Sequence, residues 1–309
     1  MSLIIGIDEV GYGPKLGPLI ISAVAVKTTD VKCDLWKLLR DIVVKDKSRN
    51  KRCRKLVVCD SKKLYSRSVG IRHIEETSLA FSSVFTSDVN NILLPANVPY
   101  PWYNSKIDIP LLTDVSVLHK KGSFLRRALS TNHIELCDIQ LRVVEPEQFN
   151  NKINLYGNKS QLLFYEVAHL IKDIIATNND DDVAFYIGKQ GGRNFYYGDI
   201  RNAFSDYDTK ILEEGKKQSR YILGNGRRKI AISFLIDGED RHFLISLASI
   251  IGKYAREIRM ILFNRYWANV ANGVKPTAGY GIDAERFLND INQWLTSGAV
   301  DLQQVVRSR

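Results

Sequence analysis

Ile4-Ile5-Gly6-Ile7-Asp8-Glu9-Val10-Gly11-Tyr12-Gly13-Pro14 runs from an apolar strand straight into two carboxylates and then a glycine-rich bend. A buried strand that ends in paired acids needs something to balance their charge. Two carboxylates can hold a hard cation through oxygen, and glycines just beyond them let the backbone come close to a phosphate or a sugar. The same residues would also serve as a solvated strand end followed by a turn. Side chains of a regular strand alternate between faces, so Asp8 and Glu9 share a site only if the backbone twists there.

Working outward, residues 3–8 and 19–26 read as consecutive buried strands joined by that bend, with an amphipathic segment at 35–44 after them. Val57-Val58-Cys59 leads into Asp60-Ser61-Lys62-Lys63-Leu64 and a helix over 70–80. Residues 93–112 hold Pro95, Pro99, Pro101 and Pro110 with the pair Trp102-Tyr103, and read as an irregular insertion giving local cover or substrate contact. A helix, a strand at 134–144 and a second helix follow. In the latter, Leu163, Val167, Leu170, Ile171 and Ile174 fall on one face, and Asn158 or Ser160 can cap it. Another short strand at 183–187 ends at Gly188-Lys189-Gln190-Gly191-Gly192-Arg193. Residues 220–223 and 229–236 flank Gly224-Asn225-Gly226-Arg227, a hairpin signal because Asn-Gly tolerates positive φ.

Asp237-Gly238-Glu239-Asp240 closes the last of these strands and precedes a long apolar helix over 243–263. Ser246, Ser249, Lys253 and Arg256 form one stripe along that helix. A phosphate lying across it would satisfy them; otherwise the serines bond back to the preceding turn and Lys253 snorkels outward. Glu239 or Asp240 is equally suited to a helix N-cap. Gly279-Tyr280-Gly281 presents Tyr280 either to stack on a sugar or base or as an ordinary turn tyrosine. The helix after it, from near Asp283, buries Phe287, Leu288, Ile291 and Leu295.

The chain of 309 residues is 45% hydrophobic and 25% charged, which is a globular and not a disordered composition. Its net charge of +10 and the basic run at 45–55 suit a polyanionic partner, although such a run also serves as a solvated loop. Cys33, Cys53, Cys59 and Cys137 show neither zinc-finger nor disulfide spacing, which fits a reducing compartment. The longest apolar run, 19–26, is too short to span a bilayer, and acids follow the N-terminal apolar residues too soon for a signal peptide. A soluble, cytoplasmic monomer without membrane association is expected.

The order of four motifs carries a resemblance. Asp8-Glu9-x-Gly-x-Gly-Pro, then Asp60-Ser61-Lys62-Lys63-Leu64, then Ala248-Ser249-Ile250-Ile251-Gly252-Lys253-Tyr254-Ala255-Arg256-Glu257, then Gly279-Tyr280-Gly281 resemble a type 2 ribonuclease H (ribonuclease HII). Gly11-Tyr12-Gly13, Pro101-Trp102-Tyr103 and Gln190-Gly191-Gly192-Arg193 look closer still to a divergent bacterial branch of that family. The resemblance implies an α/β ribonuclease H-like fold, a mixed five-stranded sheet flanked by helices, as a single domain over 1–309 with an insertion at about 90–155 and a C-terminal helical part at about 265–309. It implies hydrolysis of the RNA strand of an RNA/DNA hybrid, or of a duplex containing ribonucleotides, using two divalent ions, Mg2+ or Mn2+.

Asp8, Glu9 and Glu239 match catalytic and metal-binding positions, with Asp240 as a further metal candidate. Gly11, Tyr12, Gly13, Lys62, Ser249, Lys253 and Tyr280 match substrate contacts. Three departures stand out. Glu239 occupies a position where Asp is usual. Gly188 stands where a third acid should close its strand, leaving water, Asp199 or Asp240 to substitute. Tyr12 replaces the arginine of a Gly-Arg-Gly pattern, removing a guanidinium contact to phosphate. Hydrolysis impaired at Gly188 makes a hybrid- or duplex-binding protein without turnover the alternative reading.

Overall fold

The computed structural model describes residues 1–46, 48, 55–65, 70–94, 99–178, 182–226 and 228–308. Strands β1 (Ser2–Val10), β2 (Leu19–Thr28), β5 (Glu135–Val144), β6 (Asp182–Gly188), β7 (Asp208–Glu214), β8 (Gln218–Gly224) and β9 (Lys229–Leu235) form one sheet in the order β5-β2-β1-β6-β9-β8-β7. β3 (Val43–Val44) and β4 (Leu56–Val57) make a separate parallel pair. In the main sheet β1 runs antiparallel to β2 and parallel to β6, and β6 parallel to β9.

Residues 3–7 of β1 and 19–26 of β2 are apolar apart from Ser22 because both of their faces are covered. Leu3, Ile5, Ile7, Leu19, Ile21 and Ala23 pack with the helix Lys159–Thr177 on one side. Ile4, Ile20 and Val24 pack on the other with the helices Arg72–Phe85, Val115–Thr131 and Phe243–Val270. The last of these, the long helix, presses onto β1 at Gly6, where an added Cβ would lie 2.2–2.5 Å from Leu244 and Ile245 atoms. At Gly252 an added Cβ would meet Ser22 Oγ at 2.7 Å, and the Ser22 hydroxyl donates to the Ala248 carbonyl at 2.6 Å. These two close approaches fix the helix along β1, with Ser249 above the end of the strand.

The mixed α/β architecture is as expected, but the sheet has seven strands rather than five. β7 is an edge strand whose Lys210, Ile211, Leu212 and Glu213 are all exposed, so it lacks the alternation that betrays a half-buried strand. The segment 35–44 is helical only at Leu35–Leu38, since Val43 and Val44 are drawn into pairing with Leu56 and Val57. Asn158 is the residue that caps its helix, accepting from the Ser160 and Gln161 amides at 3.0 Å. The Asn-Gly hairpin joins β8 to β9, with Gly224 paired to Lys229.

Trp102 is buried against Phe263 and Tyr266, which makes it local cover. Residues 135–144 of the expected insertion are an integral strand, β5, paired to β2. Most of the basic run, 47 and 49–54, lies outside the described residues, as does Cys53. Among the described residues Cys33, Cys59 and Cys137 form no disulfide, and no helix is long and apolar enough to cross a membrane.

Candidate active site

β1, β6 and β9 end side by side, and a cleft of about 500 Å3 opens at their carboxyl ends. Asp8, Glu9 and Glu239 line it, together with Gly11, Tyr12, Gly13, Lys62, Ser249, Lys253 and Tyr280. Every residue matched to a catalytic, metal or substrate position converges there except Asp240, while Asp199, Ser246 and Arg256 also lie off its lining.

The facing problem of Asp8 and Glu9 is resolved by the end of pairing. β1 pairs with β6 only as far as Ile7 with Ile187 while staying paired with β2 through Val10, so both acids lie past the last rung shared with β6. Both carboxylates point at Gly188. An ideal Cβ on Gly188 would lie 2.5 Å from Asp8 Oδ1 and 4.0 Å from Glu9 Oε2, so the Asp8 carboxylate fills the space a side chain at 188 would use.

Glu239 arrives from β9 through a tight turn. Asp237 holds φ at 49°, in the left-handed region, and Gly238 packs against Gly188. The Glu239 carboxylate then accepts from the Ser61 amide at 3.3 Å, from the Ser61 hydroxyl at 3.2 Å and from the Ser249 hydroxyl, while the two serine hydroxyls lie 2.9 Å apart. Ser246 donates to the Glu239 carbonyl. The serines of the helix stripe thus orient an acid, which neither sequence reading of that stripe anticipated. Lys253 pairs with Glu257 at 2.5 Å and lies over the Tyr65 ring at 4.2 Å. Arg256 is buried and donates to the Leu16 and Pro18 carbonyls at 3.1 and 3.3 Å, so it braces the glycine loop instead of meeting a ligand. Gly11 is required there: its φ is +85°, and a Cβ would sit 2.7 Å from Arg256 Nε.

Asp240 is corrected as a metal candidate. It pairs with Lys63 at 2.7 Å and does not line the cleft, because the helical turn Gly238–Arg241 sends adjacent side chains in different directions. Asp199, the other possible substitute, pairs with Arg193 and is also outside the cleft. Residues not singled out from sequence also line it: Ser61, Lys189 and Asp237. Ser61 lay within a quoted motif, but its role depends on Glu239 being its neighbour in space. Lys189 is held by Asn194 Oδ1 at 2.6 Å and the Gly215 carbonyl at 2.5 Å.

The electrostatics follow from this crowding. Burial, then the charges of Glu9 and Glu239, hold the Asp8 carboxyl well above the ordinary range. Burial, with a further contribution from Glu239, pushes Glu9 up to about 8. Burial also raises Glu239, against the Ser249 hydrogen bond, which lowers it. Such a group of acids takes up protons or a cation. The donors are all oxygen, which suits Mg2+ or Mn2+. Among the described residues no three His, Cys, Asp or Glu side chains are arranged as a ready metal cage. Mg2+ characteristically uses one or two carboxylates and completes its shell with water and substrate phosphate, so Asp8 and Glu9 fit one such ion. Gly188 offers no side-chain oxygen to an ion at this end of the cleft.

No family model matches the chain, and no curated protein does. Among solved structures it is similar to the ribonuclease HII of a PCNA complex from Archaeoglobus fulgidus, at 14% identity and TM-score 0.43, covering 99% of this chain and 94% of that one. It is similar to the ribonuclease H2 of Pyrococcus horikoshii at 15% identity and TM-score 0.48, covering 98% and 92%. Bst-RNase HIII in complex with Mn2+ overlaps at 16% identity and TM-score 0.41, covering 99% and 66%. Each score is below 0.5, so the functional reading rests on the residues of the cleft.

Proposed function

We propose that the cleft is a metal-dependent nuclease site of the type 2 ribonuclease H kind, from the divergent bacterial branch, acting on the RNA strand of an RNA/DNA hybrid in the cytoplasm. The observation that carries this reading is the convergence of Asp8, Glu9 and Glu239 at adjoining strand ends, beside Lys62 and Tyr280. Asp8 and Glu9 would hold Mg2+ or Mn2+, which when bound supplies Lewis-acid polarisation of a phosphoryl oxygen and a more acidic water. Glu239, fixed by Ser61 and Ser249, is oriented to accept a proton or to assist the ion. Lys62 and Lys253 balance phosphate charge. The backbone of Gly11–Gly13 can register a 2′-hydroxyl, which both donates and accepts, and Tyr280, 47% exposed, offers a ring for stacking.

The test is cleavage of an end-labelled RNA/DNA hybrid by excess enzyme with Mg2+ or Mn2+, with a DNA duplex as control. Products from the hybrid that disappear in Asp8→Asn support the reading; no products with either ion reject it. Gly188 favours a second reading, a hybrid-binding protein without turnover. That predicts salt-dependent binding without cleavage.

A further inference from the structure

A second cavity, of about 400 Å3, lies across the Glu239 turn from the cleft. Its floor includes Tyr186 of β6, and its walls are residues 31–36, which lead into the helical turn Leu35–Leu38, and the residues Arg241 and His242. None of these belongs to the nuclease site, and the basic run noted in the sequence begins at this cavity. Lys45 lies over the Trp36 ring, 4.5 Å from its centroid, and donates to the Asp240 carbonyl.

The charge is one-sided. Lys32, Lys45 and Arg241 line the cavity and all are exposed. Among the described residues one acid, Asp34, lies on its walls, and it caps a helical turn, accepting from the Trp36 and Lys37 amides at 3.0 and 3.3 Å. His242 stacks on Tyr186 with ring centroids 4.0 Å apart, and its Nδ1 is buried without a hydrogen-bond partner. The positive surface continues along the sheet: Tyr186 pairs with Ser233 and Ser233 with Arg220, so exposed Arg220 stands on the same face two strands away.

We propose that this cavity is a second nucleic-acid subsite that takes one nucleotide of a single-stranded segment adjoining the duplex held by the cleft. The proposal deepens the nuclease reading and rests on it. The volume is that of a small-ligand site. Clustered cations suit a phosphate, and aromatic walls suit a base. A paired base is stacked inside its duplex and cannot enter such a cavity, whereas an unpaired one can.

The test measures affinity of the full chain for three probes: a blunt hybrid, the same hybrid with a single-stranded extension, and the single strand alone. The extended hybrid binds more tightly than the blunt one. In Lys32→Ala/Arg241→Ala that gain is lost, and the slope of log K against log salt for the extended probe shrinks by about 0.7, for the one phosphate that a single nucleotide brings. Blunt-hybrid binding and cleavage stay unchanged. Lys32→Glu, on a loop away from the Glu239 turn, shifts the same quantities in the same direction. An extension gain and salt slope that survive both variants overturn the subsite. Single-strand binding lost in these variants, in a chain that neither binds nor cuts blunt hybrid, supports the subsite and overturns the nuclease reading instead.

Discussion

Two sets of buried acids in this protein are built in opposite ways. Glu75, on the helix Arg72–Phe85, is fully buried and accepts from the amides of Leu111, Leu112 and Thr113 at 2.5, 2.9 and 2.7 Å, from the Thr113 hydroxyl at 2.8 Å and from the Tyr254 hydroxyl at 2.9 Å. Its charge is spread over donors supplied by the fold, and it pins the loop after Pro110 to the long helix. Asp8 and Glu9 lie beside each other with Glu239 near, and desolvation and mutual repulsion dominate their environment. Glu75 is saturated with donors, as a structural carboxylate should be; Asp8 and Glu9 are left with a deficit that a ligand could fill, in keeping with the proposed nuclease site.

The contrast breaks most readily at Glu75. Glu75→Ala strands three backbone amides and is expected to cost about 3–5 kcal/mol, read as a fall in urea midpoint. Asp8→Asn removes one of the repelling charges and is expected to leave the metal-free protein as stable as the parent or more so. If Asp8→Asn unfolds the chain as Glu75→Ala does, the two sites are not different in kind.

The next effect is on pH dependence. Glu9 binds its proton more tightly folded than unfolded, with the folded value at about 8 and the ordinary value at 4.5. The contribution of Glu9 to the stability of the metal-free protein is therefore fully present below pH 4.5 and is lost as pH rises toward 8, by on the order of 1 kcal/mol per pH unit. Mg2+ or Mn2+ should flatten that decline by stabilising the ionised form. A thermal melt series across the window, with and without metal, checks both statements.

Gly188→Asp sharpens the comparison further. The new carboxylate must displace the Asp8 carboxylate from the space it fills, so the variant is expected to be less stable without metal and to bind metal more tightly. Hybrid cleavage should rise by at least about tenfold, since even indirect ligand support is worth roughly 10–100-fold. A folded Gly188→Asp protein with tighter metal binding and unchanged cleavage would mean that the missing ligand does not limit turnover. The smallest effect is at Ser249→Ala, which loosens Glu239 at an expected cost of about 1 kcal/mol, measured by denaturant titration.

Much of the site was legible in the chain because its parts are local. Asp8-Glu9 before a glycine bend, Lys62 after Asp60-Ser61, Ser249 and Lys253 on one helix stripe and Tyr280 between glycines each announce themselves in a few residues. Ser61, Lys189 and Asp237 lay inside marked stretches but did not stand out there, since their place in the cleft depends on neighbours far away in the chain. β7 escaped because an exposed edge strand carries no hydrophobic period.

By itself the sequence determined the apolar strands β1, β2, β6 and β9, the hairpin at Asn225-Gly226, the long helix and the identity of the acids, because hydrophobic period and turn chemistry act over a few neighbouring residues. Tertiary structure alone decided that Asp240 turns away to Lys63 while Glu239 turns inward, that the serine stripe holds an acid, and that the Asp8 carboxylate occupies the space above Gly188. Those outcomes depend on which strand ends lie side by side and on how closely the long helix can approach Gly6, distances set by packing between segments far apart in the chain.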